Sequence, residues 1–138
     1  MKARHRQLEH AADLAIELIA PDEAGLFEEG ARALMEILLD DDLPSPSEER
    51  FLRISDAVDA ADRLVQWLNH VVVLAVCDGF FLAAATIDLE GETGLRATLH
   101  GECAGRLQLH TEVKAVTQHG LRLERGQNGA RAVIIVDV

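Results

Sequence analysis

The chain is poor in cysteine and in long apolar runs, and each scarcity excludes a class of protein. Cys77 and Cys103 are the only cysteines in 138 residues, and no CxxC pair or Cys/His cluster accompanies them. This pattern predicts buried free thiols rather than a disulfide framework or a zinc site. No apolar run approaches the length of a membrane span. No apolar segment of a signal peptide follows the basic residues 1–6, so we expect a cytoplasmic protein.

Basic side chains are also scarce, with 13 Lys and Arg against 24 Asp and Glu and a net charge of -11. Sequence-independent binding to nucleic acid requires Lys and Arg that neutralise phosphates, so we expect no direct nucleic-acid binding. An acidic surface suits a divalent cation, a basic partner protein, or solubility alone. With 49% hydrophobic residues, residues 1–138 are long and apolar enough to form a single folded domain.

The motifs of several enzyme classes are missing. The sequence contains no P-loop, no Gly-x-Ser-x-Gly and no His-Glu-x-x-His. No pair of histidines stands at the close helical spacing that a catalytic zinc centre needs. The sequence alone therefore offers no nucleophile or catalytic metal motif.

The periodicity of apolar residues predicts two helices and six strands. The first predicted helix covers 26–38, with Asp22 as a candidate N-cap. The second covers 64–75: Asp59 and Asp62 favour its start, and Gly79 is suited to end it. The predicted strands are 14–19, 51–55, 81–89, 95–100, 113–124 and 132–138. This order, β-α-β-α-β-β-β-β, predicts an α+β fold with two helices packed on one mostly antiparallel sheet.

Asn128-Gly129 is the strongest hairpin signal in the chain. With these two residues at the centre of the turn, Gly120 faces Asp137 and His119 faces Val138. A longer loop shifts the pairing by one or two residues, so we expect Asp137 beside His119 in either case. Gly120 is suited to a β-bulge that redirects His119.

Ionisable side chains interrupt the last two apolar strands. Burying an unpaired charge is costly, so such residues need partners or a function. Glu112 and Lys114 are two residues apart and therefore share a face of the strand, where a salt bridge between them is the simplest explanation. By strict alternation His119 lies on the opposite face from Lys114 unless a bulge intervenes. These residues and Asp137 indicate a site at the end of the chain.

Three segments of the sequence resemble the archease family. Residues 10–16 (HAADLAI) resemble its His-Thr-Ala-Asp motif, and residues 64–69 (LVQWLN) resemble its Trp-Leu-Asn helix. Residues 112–119 (EVKAVTQH), together with Val136-Asp137, resemble its C-terminal signature. The order of the elements agrees with the family over essentially the whole chain.

The resemblance implies a function. Archeases are small α+β accessory proteins of the RtcB-type RNA ligase, which joins RNA ends in tRNA splicing and RNA repair. By this resemblance we expect a non-catalytic activator that promotes guanylylation of the ligase and its multiple turnover. The resemblance also implies a divalent-metal site that binds calcium, with magnesium or manganese as alternatives.

The metal ligands implied by the resemblance are Asp13 and Asp137, with the carboxylate of Val138. Two carboxylates, backbone oxygens and water suffice for a weak site for a hard cation. Because such a cation prefers oxygen ligands, we expect His119 to orient Asp137 rather than to bind the metal. His10 is expected to cap the turn beside Asp13.

Lys114 matches a position that the family needs for activation, and Glu112 is its expected neighbour. An alternative from another class is a free-standing metal-dependent hydrolase that uses Asp13, His119 and Asp137. A general chaperone is a further alternative.

The acidic residues 40–42 resemble a metal loop, but the Pro and Ser residues that follow favour a solvated loop.

Overall fold

The computed structural model describes residues 1–8, 13–39, 43–103, 109 and 111–138. Within these residues the chain forms two helices and seven strands. Their order and bounds are β1 (Arg4–Leu8), β2 (Leu14–Ala20), α1 (Glu23–Leu39), β3 (Glu48–Ile54), α2 (Ala60–Val76), β4 (Phe80–Glu90), β5 (Gly94–Cys103), β6 (Ala115–Gly126) and β7 (Gly129–Asp137). The strands form a four-stranded sheet in the order β1-β2-β7-β6, here sheet A, and a three-stranded sheet in the order β3-β5-β4, here sheet B. Every described strand pair is antiparallel.

The α+β class and both predicted helices are confirmed, but the prediction of one sheet was wrong. Strand β5 pairs with β3 on one side and with β4 on the other, so sheet B is complete without β6. Strand β6 pairs with β7 instead. Consecutive strands are neighbours only as a tendency, and nothing local in the sequence marks where one sheet ends.

The two helices join the sheets into one hydrophobic core. Helix α1 contacts β2 and β7 of sheet A and β4 of sheet B, and α2 contacts β6, β4 and β3. The predicted cap at Asp22 is confirmed, because its carboxylate accepts from the backbone N–H of Gly25 at 2.8 Å. Asp59, predicted only as a charge that favours the start of α2, is the N-cap of that helix, and its carboxylate accepts from the backbone N–H of Asp62 at 2.7 Å. These bonds satisfy donors that a helix N-terminus leaves unpaired. Neither helix combines the length and apolar character that a membrane crossing requires among the described residues.

The two cysteines are free, as predicted, but the prediction that they are buried was wrong. Cys77 is the C-cap residue of α2, and Cys103 is the last residue of β5. Both therefore lie at exposed ends of elements whose interiors are buried. A position at the end of an element outweighs the general tendency of cysteine to be buried.

Strand β1 was missing from the prediction because its sequence, RHRQL, is polar rather than apolar. A pair of carboxylates holds it against α1: His5 bonds to Glu29 through Nδ1 and to Glu36 through Nε2, the latter at 2.6 Å. Burial alone would lower the pKa of His5, but the hydrogen bonds and charges of Glu29 and Glu36 outweigh burial and raise it. Charge pairing therefore positions this edge strand.

Asn69 on α2 fixes the beginning of β6. Its side-chain Nδ2 donates to the Val116 carbonyl at 2.9 Å, and its Oδ1 accepts from the Val116 N–H at 2.8 Å. Because β6 is an edge strand of sheet A, these outward backbone groups have no strand partner, and the amide supplies one. Helix α2 thereby sets the position of the segment that includes Lys114.

We predict that Asn69→Ala destabilises the protein by about 1–3 kcal/mol, the cost of leaving buried backbone groups without partners. Val116 is buried, so water cannot easily replace the lost amide. The free energy of unfolding, measured by urea denaturation, tests the prediction.

His70→Ala is the matched control, because His70 is the next residue of α2, is exposed and makes no hydrogen bond to the described part of the chain. We expect this variant to unfold at the same urea concentration as the unmodified protein. Equal stabilities for the two variants would contradict the role given to Asn69.

Candidate functional site

Asp13 and Asp137 lie at the same end of sheet A. The last described pair of β2 and β7 joins Leu14 to Val136, and the two aspartates are the next residues on either side of that pair. Both are half-buried. Two carboxylates separated by most of the sequence thus stand on neighbouring strands, at the point where β2 begins and β7 ends.

The segment before β6 joins the same end of the sheet. Ala115 is the strand partner of Asp137, and the backbone N–H of Lys114 donates to the Asp137 carbonyl at 2.8 Å. The Lys114 side chain is exposed, and its ammonium makes no ion pair with any described residue. The predicted salt bridge between Lys114 and Glu112 is therefore absent. Both side chains are exposed to solvent instead.

The predicted register of the last hairpin was wrong. Gly126 pairs with Gly129, so Gln127 and Asn128 form the turn, and Asp137 faces Ala115 rather than Gly120. The predicted bulge exists and is larger than expected: residues 118–121 stand opposite Ile134 alone, and Gly120 has a φ of +77°. Each unpaired residue on β6 moves the pairing beyond the bulge by one position.

His119 lies in this bulge, exposed, and not beside Asp137. Its backbone N–H donates to the Thr117 hydroxyl at 2.8 Å. The neighbouring Gln118 side chain donates to Asp62, which ties the bulge to the start of α2. The expectation that His119 orients Asp137 as its strand neighbour is therefore wrong, and the bulge is the physical reason.

The donor chemistry at the end of sheet A is that of carboxylate oxygen. No group of three Asp, Glu, His or Cys side chains suited to a metal ion occurs in the described parts of the chain. Asp13 and Asp137 would therefore need backbone oxygens and water to complete a ligand set, which is the mixture that a weakly held hard cation accepts. Val138 follows β7 and is exposed. His10 and residues 40–42 lie outside the described residues.

A second charged feature lies on the face of sheet A that points away from the helices, here called the outer face. Alternation places Ile16, Leu18, Ala132 and Ile134 in the core, so Glu17 and Arg131 lie on the outer face. The Glu17 carboxylate accepts from Arg6 Nε and from Arg131 Nε, both at 2.7 Å. Only 5% of Glu17 is exposed, because the two arginine side chains cover it.

The two arginines determine the ionisation of Glu17. Hydrogen bonds from Arg6 and then Arg131 lower the pKa of Glu17, and the charges of both guanidiniums act in the same direction. Desolvation opposes them and is the smaller effect. Glu17 is therefore a fixed negative charge at the centre of a group of arginines.

The partners of Asn69 and Glu17 were not predicted from the sequence. Asn69 follows Trp67-Leu68 in an otherwise apolar stretch of α2, and a polar side chain there is the signal that could have indicated a partner. Glu17 interrupts the apolar strand β2, but its partners come from β1 and β7. Only the strand register shows that these arginines meet it.

The chain is similar to known proteins over nearly its whole length. The matching family model is that of the Archease protein family, over residues 5–138. The protein archease of Methanopyrus kandleri is 31% identical over 137 residues, which cover 96% of this chain and 97% of that protein. A probable protein archease of Mycobacterium tuberculosis is 30% identical, with 97% of this chain and 74% of that protein covered.

Two solved structures have the same fold. The solution structure of protein 1598 of Methanobacterium thermoautotrophicum has a TM-score of 0.74 and 26% identity, covering 97% of this chain and 98% of that one. The crystal structure of an archease from Thermotoga maritima, described there as a possible chaperone, has a TM-score of 0.63 and 24% identity, covering 96% of each chain.

We predict that Glu17→Gln destabilises the protein at neutral pH and that the difference disappears in acid. A carboxylate whose pKa is lowered in the folded state stabilises that state above its ordinary pKa of 4.5, and the stabilisation is lost as the pH falls through the lower folded value. Free energies of unfolding of both proteins, measured across this pH range, test the prediction.

Glu124→Gln is the control, since Glu124 is exposed on the same sheet and makes no ion pair with the described residues. It removes the same charge and should leave the pH dependence of stability unchanged. If the free energies of unfolding of Glu17→Gln and of the unmodified protein differed by the same amount at every pH, the lowered pKa assigned to Glu17 would be contradicted.

Proposed function

The chain belongs to the archease family, and we propose that it is a non-catalytic activator of an RtcB-type RNA ligase. In this proposal it promotes guanylylation of the ligase and its multiple turnover, in tRNA splicing or RNA repair. The activating end of the molecule is the end of sheet A that carries Asp13, Asp137 and Lys114.

One observation supports this proposal most directly: the pairing of β7 with β2 and β6 gathers the three residues at one end of the sheet. Asp13 comes from the beginning of the chain, Lys114 from its later part and Asp137 from its end. The same three positions lie in the segments by which the sequence resembles archeases. Residues that only stabilise a fold are not expected to combine two half-buried carboxylates with an exposed ammonium that makes no ion pair with the described residues.

The two carboxylates fit a hard divalent cation, with calcium as the proposed ion and magnesium or manganese as alternatives. Such a cation, when bound, would neutralise and orient phosphate oxygens of the nucleotide or the ligase's substrate. Asp13 and Asp137 would hold it, with Val138 as a further proposed ligand. Glu112, exposed beside this end of the sheet, adds negative charge there.

The Lys114 ammonium is the group best suited to contact the ligase or its nucleotide. It is exposed and has no ion-pair partner among the described residues, so no internal bond must break before it meets a partner's phosphate or carboxylate. Its backbone is held by Asp137, and β6 is held by Asn69. The backbone of Lys114 is thus held in place while its side chain extends into solvent.

The hydrolase alternative needs His119 beside Asp137 as an acid or base. The register places His119 in the bulge, several residues from Ala115, the partner of Asp137. General acid–base catalysis requires hydrogen-bond reach to the reacting group. The geometry of β6 therefore favours the accessory role over this catalytic one.

We predict that Asp13→Asn and Asp137→Asn each weaken calcium binding about tenfold or more, because each substitution removes a charged oxygen ligand. Isothermal titration calorimetry with calcium chloride measures the change. Asp88→Asn, on the exposed side of sheet B, is the control for the loss of one negative charge. Binding by either variant with the affinity of the unmodified protein would contradict the proposed ligands.

We predict that Lys114→Gln abolishes most of the stimulation of ligase guanylylation while the protein stays folded. The measurement is transfer of labelled GMP to the cognate ligase with substoichiometric amounts of this protein, with and without a chelator. Lys2→Gln is the matched control, since Lys2 is the other lysine of the chain and is exposed.

Full stimulation by Lys114→Gln would contradict the role of that ammonium. No stimulation by the unmodified protein, together with metal-independent suppression of aggregation of unrelated proteins, would favour the chaperone alternative over the whole proposal.

A further inference from the structure

The outer face of sheet A concentrates positive charge on an acidic protein. Two neighbouring rows of strand partners carry it: one joins Arg6, Glu17, Val133 and Arg122, and the next joins Arg4, Ile19, Arg131 and Glu124. These two rows thus carry four of the chain's 13 basic residues against two glutamates, while Asp13 and Asp137 lie on the same face at its far end. The chain as a whole has a net charge of -11, so the local sign is the reverse of the overall one.

We propose that this face binds the phosphates of single-stranded RNA, with Arg4, Arg6, Arg122 and Arg131 as the donors. The proposal rests on the proposed function only for the source of the RNA, the substrate of the ligase. The excess of two positive charges in these two rows and the arrangement of their arginine side chains are the observations that carry it.

Glu17 makes the central pair of arginines rigid without removing their capacity to bind. Arg6 uses its Nε for Glu17, and Arg131 uses Nε and Nη2, at 2.7 and 2.6 Å respectively. The remaining guanidinium N–H groups point to no described partner. Arginine forks held in place in this way match phosphate oxygens and lose little side-chain freedom on binding.

Arg4 and Arg122 flank this pair and are not used by the fold. Both are exposed, and neither guanidinium pairs with any residue that the structure describes. Ion pairs hold the surface arginines Arg32, Arg96 and Arg125, whereas Arg53 on sheet B is exposed and has no ion pair with the described residues. Unpaired guanidiniums beside a rigid pair are poorly explained by stability alone, because like charges placed close together repel.

The spacing of the arginines on the outer face suits a nucleic-acid segment with several phosphates. Arg6 and Arg122 are three strands apart, which is about 14 Å, and the two rows are about 7 Å apart. A cavity of about 270 Å³, lined by Arg4, His5, Arg6, Glu17 and Ile19, is large enough for a phosphate group but below the usual size of a site for a whole small molecule. The face therefore suits a chain of phosphates better than one enclosed nucleotide.

The composition of the face favours RNA over a partner protein. Protein–protein interfaces have a buried apolar centre with aromatic or Met anchors. Phe51 and Val58, two large exposed apolar side chains, belong to other parts of the described chain, while the exposed Met1 borders the second row beside Ile19 and Arg131. A surface on which arginine outnumbers exposed apolar side chains is typical of contacts with a phosphate backbone.

The test uses the full chain and a fluorescein-labelled oligouridylate, with binding followed by fluorescence anisotropy over a range of salt concentrations. We expect the double variant Arg4→Gln/Arg122→Gln to weaken binding roughly tenfold and to reduce the slope of log K against log salt by about 1.4. Neither residue forms an ion pair with the part of the chain that the structure describes, so the variant should remain folded, as circular dichroism and thermal unfolding can verify.

Arg53→Gln is the matched control, because it removes a guanidinium that is exposed on sheet B and lacks an ion pair within the described chain. It should bind the oligouridylate nearly as well as the unmodified protein. Equal weakening by Arg53→Gln, or no binding by the unmodified protein at low salt, would overturn the proposal. Competition by free GTP or by polyglutamate as effective as that by unlabelled RNA would also overturn it.

The two proposals fail separately. Guanylylation of the ligase is assayed without RNA, so Arg4→Gln/Arg122→Gln should retain full stimulation of that step and show a raised KM for RNA in ligation. If the unmodified protein bound RNA but did not stimulate guanylylation of the ligase, only the proposed function would be contradicted. Intact guanylylation with no RNA binding would contradict the RNA-binding face alone.

Discussion

The position of β7 between β2 and β6 is the constraint on which both charged features of sheet A depend. Its inner residues, Ala132, Ile134 and Val136, have no measurable exposure. A shift of one residue would turn this apolar set outward and bring Arg131 and Asp137 into the core, so burial fixes the register. The same register determines which side chains of β2 and β6 meet on the outer face. Packing in the interior thus decides the chemistry of the surface.

Local features of the chain were predictable because their causes are local. Helical spacing, the cap at Asp22, the aspartates that favour the start of α2 and the bulge at Gly120 each depend on residues within a few positions. Strand β1 was not predictable, since the glutamates that bind His5 lie on α1. The hairpin register failed for a related reason: Gly120 indicated a bulge, but no local rule indicated that four residues would stand opposite Ile134.

The candidate site shows the same division. The archease resemblance identified Asp13, Lys114 and Asp137 before any geometry was known, and strand pairing then placed them at one end of sheet A. The arginines of the outer face could not be found from composition, because a net charge averages over all surfaces. Arg4 and Arg6, Arg122, and Arg131 come from three strands, β1, β6 and β7, and only the order of the sheet puts them together.

The arginines and the aspartates occupy one face without neutralising each other. Along β7 the outer residues run from Arg131 through Val133 and Ile135 to Asp137, and six residues of strand separate the two charges by about 20 Å. Because salt screens interactions between exposed charges over such a distance, the arginines and the aspartates act as separate charged groups. A cation held at one end and phosphates held further along the same strand are therefore compatible with a single bound RNA end.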